Sequence, residues 1–104
     1  MKVEFSFDKD IVEQSGYTLG DIHHTIKKKF NERNLPCVSD GDILAFTDNG
    51  NKNDFSNMWT VIMGLTRSDW FMSFATSCVW HEDANKKEDV LRQARARGKE
   101  RMQA

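Results

Sequence analysis

The chain lacks the features of a linker, a membrane span or a secreted protein. One proline and six glycines among 104 residues leave no flexible or low-complexity stretch. No apolar run approaches the roughly 20 residues that a membrane span needs, and no apolar signal segment follows Met1. We therefore expect residues 1–104 to form one cytoplasmic domain that makes no membrane contact.

Cysteine is also scarce, and the two that occur, Cys37 and Cys78, are expected to be free thiols in a reducing compartment. Cys78-x-x-His81 is the nearest approach to a metal half-site, with His23, His24 and Cys37 as further possible ligands. A structural zinc site usually has four ligands in two paired half-sites. The single half-site predicts no metal and no cofactor. A small Cys/His metal protein or enzyme is the second alternative.

No combination of residues matches a catalytic signature. His23 and His24 are neighbours in a predicted helix, where adjacent side chains point about 100° apart. An activated cysteine needs a helix N-terminus or a nearby cation, whereas Cys37 follows the end of that helix. We predict no catalytic residue, and therefore a protein that is not an enzyme.

Local patterns predict the first strand and the first helix. Residues 3–7 alternate apolar and polar side chains, as a half-buried strand does. Residues 18–33 begin with a Thr18 cap and an Asp21 that completes a capping box. The segment ends at Asn34 and Pro36, which favour a left-handed closing residue and then a stop. Its apolar stripe is Leu19, Ile22, Ile26 and Phe30.

The remaining segments predict a strand at 43–47, a polar loop at 48–57 and a strand at 58–65. Residues 70–80 fit both a strand and a helix, and their residue types favour the strand. A basic helix is expected at about 86–101. The order β-α-β-β-β-α predicts an α+β domain, with a three- to four-stranded antiparallel sheet and two helices on one face.

The predicted α-β-β-β-α order of residues 18–101 resembles the double-stranded RNA-binding domain. In that family a Lys-Lys pair at the start of the last helix contacts phosphates, and Lys86-Lys87 resembles that pair. The resemblance implies nucleic-acid binding through the C-terminal helix, which is the alternative function. The residues it implicates are Lys86, Lys87, Arg92, Arg95 and Lys99.

Charge is divided unevenly along a chain whose net charge is only −1. Residues 84–104 hold seven basic and three acidic side chains, and residues 1–83 hold eight basic and 13 acidic ones. Four aspartates crowd one region without the glycine and glutamate that an EF-hand requires. We predict that this acidic region meets a basic protein partner. Its residues are Asp40, Asp42, Asp48 and Asp54.

A compact domain without a predicted active site, but with two oppositely charged regions, favours a non-catalytic protein-interaction module. Small phage or mobile-element inhibitors of nucleic-acid-handling enzymes share this general profile. Anti-CRISPR and anti-restriction proteins are examples of that class. The analogy concerns the class and not a motif. It predicts an inhibitor or regulator with a protein partner.

Overall fold

A computed structural model describes residues 1–103, with side chains as far as residue 98, as five strands and five helices. The strands are β1 (Lys2–Phe7), β2 (Cys37–Asp40), β3 (Leu44–Thr47), β4 (Ala75–His81) and β5 (Lys87–Asp89). The helices are α1 (Lys9–Gln14), α2 (Leu19–Asn31), α3 (Asp54–Thr66), α4 (Asp69–Phe74) and α5 (Val90–Gln103).

The strands form one antiparallel sheet in the order β2-β3-β1-β4-β5. Strand β1 is central, and its Phe5 lies opposite Leu44 on one side and Cys78 on the other. The α+β class is confirmed. The predicted three- to four-stranded sheet with two helices was too small, because β2 and β5 have only four and three residues and no apolar alternation.

The helices pack against one face of this sheet. Val3 and Phe5 point to that face and belong to one hydrophobic core with side chains from all five helices. Lys2, Glu4 and Ser6 point to the opposite face, and none of them belongs to that core. The predicted strand at 3–7 is confirmed, because the alternation of burial follows the alternation of residue type.

Aromatic rings fill the centre of the core. The Phe5 ring lies 5.8–6.3 Å from the rings of Phe30, Phe46 and Phe71. Phe30 and Phe46 stack with centroids 4.0 Å apart, which joins α2 to β3. Each such pair contributes about 0.5–1.5 kcal/mol beyond the burial of its area. This cluster fixes the position of α2 over the sheet.

Helix α2 confirms the predicted helix and its two ends. Thr18 accepts a hydrogen bond from the Asp21 N–H, and the Asp21 carboxylate accepts one from the Thr18 N–H, so the capping box is complete. Asn34 has a φ of 60°, and the Leu35 N–H donates to the Phe30 carbonyl at 3.1 Å. That bond closes a Schellman ending. The helix therefore ends where the sequence signals predict.

The strand predicted at 58–65 is wrong, because these residues form most of α3. Trp, Val and Ile favoured a strand through their intrinsic preference. However, the apolar residues at positions i, i+3, i+4 and i+7 form one helical stripe, and all four are buried. The stripe is Met58, Val61, Ile62 and Leu65. Tertiary packing of this stripe outweighs the local preference.

The segment 70–80 contains both of the structures that its sequence allowed. Its first part belongs to α4, where Phe71 and Phe74 are buried three positions apart. Its second part is β4, where Cys78 and Trp80 alternate with more exposed residues. The prediction of one strand across 70–80 is thus correct only from Ala75 onward.

The C-terminal helix begins at Val90, later than the predicted residue 86. Asp83 accepts hydrogen bonds from the N–H groups of Asn85 and Lys86, and this turn lets β5 pair with β4. The Lys86-Lys87 pair therefore precedes the helix. The order β-α-α-β-β-α-α-β-β-α differs from the order that suggested a double-stranded RNA-binding domain, so that part of the resemblance is wrong.

Candidate functional site

A groove of about 590 Å³ lies between α2 and α4. Its volume lies within the range of about 300–1,000 Å³ that is typical of ligand pockets. We call it the aromatic groove. Its main lining residues are Tyr17, Asp21, Ile22, His24, Trp70 and Phe74.

The ends of two helices place the aromatic side chains. Tyr17 directly precedes the Thr18 cap, so the capping box holds it at the start of α2. Trp70 and Phe74 are four residues apart on α4 and therefore share one side of that helix. The rings of Tyr17 and Phe74 are 6.2 Å apart at an angle of 60°. Tyr17 is 53% exposed, so one wall of the groove is open to solvent.

Asp21 supplies the one carboxylate among the lining side chains. Its Oδ2 accepts a hydrogen bond from the Thr18 N–H at 2.9 Å, which holds the carboxylate at the N-terminus of α2. The residue is nevertheless exposed, so its charge remains available to a ligand. An aromatic surface with a single carboxylate favours a cationic ligand, because aromatic faces and the carboxylate both attract positive charge.

A second groove, of about 350 Å³, continues along α2 from the first. His24 lines both grooves and marks the boundary between them. We call it the basic groove, because Lys27 and Lys28 of α2 are among its lining residues. Pro36 and Cys37 line its opposite side.

The aspartates of the predicted acidic region have separate structural roles. Asp40 lies 2.6 Å from Lys27 Nζ and 2.8 Å from His23 Nδ1. The hydrogen bond from Lys27 is the largest cause that lowers the pKa of the Asp40 carboxyl group, and the hydrogen bond from His23 is the next. Asp48 lies 3.1 Å from the amino group of Met1, whose hydrogen bond lowers the pKa of Asp48. Both carboxylates thus already have intramolecular cations.

Asp54 is almost completely buried, with 2% of its surface exposed. Its Oδ2 accepts hydrogen bonds from the N–H groups of Asn49 and Asn51 at 2.6 and 3.0 Å. It therefore closes the loop before α3. Asp42 is exposed and has no partner among the described side chains.

The four aspartates do not form one cluster. Asp40 and Asp42 lie at the turn between β2 and β3, whereas Asp48 and Asp54 follow the other end of β3. Strand β3 has four residues and spans about 13 Å at the usual rise of ~3.3 Å per residue. The predicted region is thus divided between opposite ends of a hairpin.

The basic residues proposed for nucleic acid also have unequal environments. Lys86 is in the turn before β5, and Lys87 is within β5, opposite His81. Arg92 is exposed on α5, whereas Arg95 donates a hydrogen bond to the Ala75 carbonyl at 3.2 Å. The side chain of Lys99 lies outside the described residues.

Cys78 and His81 cannot ligate the same ion, because they lie on opposite faces of β4. Cys78 is fully buried in the core, and burial raises the pKa of its thiol to about 12. His81 is on the other face and bonds to Glu4. Cys37 is a free, exposed thiol. Among the side chains of residues 1–98, no three His, Cys, Asp or Glu groups converge as metal ligands.

The sequence patterns did not identify either groove. Tyr17 and Trp70 are 53 positions apart, and Trp70 lies in the segment whose structure was ambiguous. A local signal for the basic groove was present in the run Lys27-Lys28-Lys29, which stands within the otherwise acidic part of the chain. Helical spacing places these lysines on different sides of α2, so the run alone does not indicate a site.

Comparison with known proteins offers no assignment. No protein-family model matches the chain, and no curated protein and no solved structure shows significant similarity to it. None of the helices in residues 1–103 combines the length and the apolar character needed to cross a bilayer.

Proposed function

We propose that the chain is a non-catalytic protein-interaction module that binds a lysine side chain of its partner in the aromatic groove. The observation that carries this proposal is the grouping of Tyr17, Trp70 and Phe74 around an open groove with the Asp21 carboxylate at its margin. Aromatic faces beside a carboxylate are the surroundings that an ammonium group prefers.

Lysine suits this groove through both of its parts. The ammonium group is attracted to the aromatic rings, an interaction of about 0.5–2 kcal/mol depending on how far water is excluded. The four-carbon stem can cover the apolar floor formed by Ile22 and Phe74. Asp21 adds charge attraction that is free of a competing intramolecular cation among the described residues.

The environments of the nucleophile and base candidates support a non-catalytic role. His23 pairs with Asp40 and His81 with Glu4, and neither ring is hydrogen-bonded to a hydroxyl or thiol among the described side chains. Cys78 is buried and protonated at neutral pH. An activated nucleophile would need a base within hydrogen-bond reach.

A lysine-bearing partner agrees with the acidic character of residues 1–83 and moves the predicted contact from the 40–54 region to α2 and α4. It is also compatible with the narrower hypothesis of an inhibitor that binds the positively charged nucleic-acid-binding surface of an enzyme. That hypothesis, including the anti-CRISPR analogy, stays a prediction. So does the role of Asp42, the aspartate of that region with an unengaged carboxylate among the described residues.

The test uses short capped peptides that differ at one position, which is lysine, trimethyllysine or norleucine. Norleucine keeps the apolar stem and lacks the charge. In amide-shift titrations of the ¹⁵N-labelled protein, the lysine or trimethyllysine peptide should bind about tenfold more tightly than the norleucine peptide. The shifts should centre on Tyr17, Asp21 and Trp70. Equal affinity for norleucine, or shifts elsewhere, would contradict the proposal.

Three variants and one control sharpen this test. Asp21→Asn keeps an oxygen for the capping box and removes the charge, so it should weaken only the lysine peptides. Tyr17→Ala and Trp70→Leu should weaken both lysine peptides. Phe55→Ala is the matched control, because Phe55 is an aromatic residue that is 49% exposed and lies outside the groove. The amide shifts of the wild-type protein test the proposal even if a variant fails to fold.

A further inference from the structure

The two adjoining grooves on α2 carry opposite charges, and from this we propose that the partner segment has an acidic side chain three residues from its lysine. The lysine occupies the aromatic groove and the carboxylate occupies the basic groove. This inference rests on the proposed function of the aromatic groove, and it specifies the sequence that the two grooves together would select.

The charge of the basic groove comes mainly from Lys28. Lys27 already shares a contact of 2.6 Å with Asp40. Lys28 is exposed and has no acidic partner among the described side chains. Asn31 lies one turn further along and adds an amide group that can donate a hydrogen bond. A carboxylate from a partner therefore finds an unpaired ammonium group and a neutral donor.

The spacing follows from the geometry of the helix. Asp21 and Lys28 are seven residues apart on α2, which corresponds to about 10.5 Å along the axis at ~1.5 Å per residue. In the polyproline II conformation, residues i and i+3 point to the same side and are separated by about 9.3 Å. An extended partner segment thus reaches both grooves with one residue in each when they are three positions apart.

The continuity of the grooves allows one segment to occupy both. His24 lines both grooves, so the described residues place no helix or strand between them. Each groove is suited to side chains of an extended segment, since their volumes are about 590 and 350 Å³. We therefore expect the motif Lys-x-x-Glu or Glu-x-x-Lys, with the two intervening residues over His24.

The experiment measures binding of capped peptides that contain Lys-x-x-Glu, Lys-x-x-Gln, Lys-x-Glu, or the reversed order Glu-x-x-Lys. At least one of the two orders with three-residue spacing should bind about three- to fivefold more tightly than the glutamine peptide, as one exposed ion pair allows. The two-residue spacing should show less of this gain. If glutamate gives no gain at any spacing, this inference is wrong.

Lys28→Met and Lys29→Met form a matched pair of protein variants. Both remove one charge from neighbouring exposed positions of α2, but Lys29 lines a different surface, beside Glu32 and Thr60. Lys28→Met should abolish the preference for glutamate over glutamine and leave the affinity for the glutamine peptide unchanged. Lys29→Met should preserve the preference. Equal loss in both variants would indicate general charge attraction and would overturn the inference.

The two proposals can fail separately. If the glutamine peptide binds and glutamate adds nothing, the aromatic groove keeps its proposed function and only the acidic subsite is rejected. If no lysine peptide binds, the proposed function itself is rejected. If glutamate binding depends on Lys28 while norleucine replaces lysine without loss, the basic groove binds an acid alone and the combined motif is wrong.

Discussion

Lys27 Nζ lies 2.6 Å from Asp40 Oδ2, so an ion pair connects helix α2 to the edge strand β2. His23 joins the same carboxylate from one turn earlier on the helix. Asp40 was predicted to bind a partner, and this stays a prediction; within the chain, its carboxylate is already engaged by Lys27 and His23. Lys27 also lines the basic groove, where Lys28 is the lysine without an acidic partner among the described side chains.

The first prediction concerns the pKa of Asp40, which should lie below its ordinary value because Lys27 and His23 donate to the ionised form. A lowered pKa means that the stabilisation is present above the unfolded-state pKa and is lost as the pH falls through the folded-state pKa. Carboxyl ¹³C titration should show the lowered value. Lys27→Met should raise it, whereas Lys28→Met is the control and should leave it nearly unchanged.

The second prediction separates Asp54 from Asp42. Asp54→Ala removes the acceptor of two N–H groups and empties a buried position, so it should lower the free energy of unfolding by about 2 kcal/mol. Asp42→Ala should change it by less than about 0.5 kcal/mol, because Asp42 is exposed and makes no such bonds. Urea denaturation measures both. Similar values for the two variants would show that the Asp54 bonds contribute little.

The third prediction concerns the two thiols. At mildly alkaline pH a thiol reagent should modify the exposed Cys37 rapidly and the buried Cys78 only after unfolding. Cys37→Ser should remove the rapid phase. Two thiols that react equally fast in the native protein would contradict this.

The burial of Cys78 also makes the free energy of unfolding of the protein depend on pH. Its pKa is raised from 9.0 to about 12, so the unfolded thiol ionises while the folded one stays protonated. The contribution of the protonated Cys78 thiol to the free energy of unfolding is fully present below pH 9 and is lost as the pH rises toward 12. Cys78→Ala should flatten this part of the stability profile, measured by urea denaturation from pH 8 upward.

The fourth prediction tests the nucleic-acid alternative. If the chain is a protein-interaction module, duplex RNA and DNA should bind more weakly than micromolar at moderate salt. Micromolar or tighter binding with a steep negative salt dependence would indicate phosphate contacts and favour the alternative. In that case Arg92→Glu with Arg97→Glu, two exposed positions of α5, should abolish the binding. Arg95 is less suitable because its guanidinium is bonded to the Ala75 carbonyl.

Whether the structure of a segment could be predicted from the sequence depended on where the contacts that stabilise it lie. Helix α2 carries its cap, its apolar stripe and its closing residues within about 20 positions, so its ends could be predicted. Helix α3 has no side-chain cap bond, and its residue types favour a strand. The burial of Met58, Val61, Ile62 and Leu65 against other elements determined the outcome. The spacing of these four residues was the signal that could have indicated the helix.

Periodicity and capping act between residues that are close along the chain, so the α+β class, the strand at 3–7 and helix α2 could be predicted from the sequence. The central position of β1 in the sheet followed only from the tertiary structure. Tertiary structure alone decided the pairing of β2 and β5, the neutralisation of Asp40 and the site. The aromatic groove requires α4 to pack beside α2, which brings Trp70 near Tyr17. No local pattern encodes that contact, because it depends on how the helices share one face of the sheet.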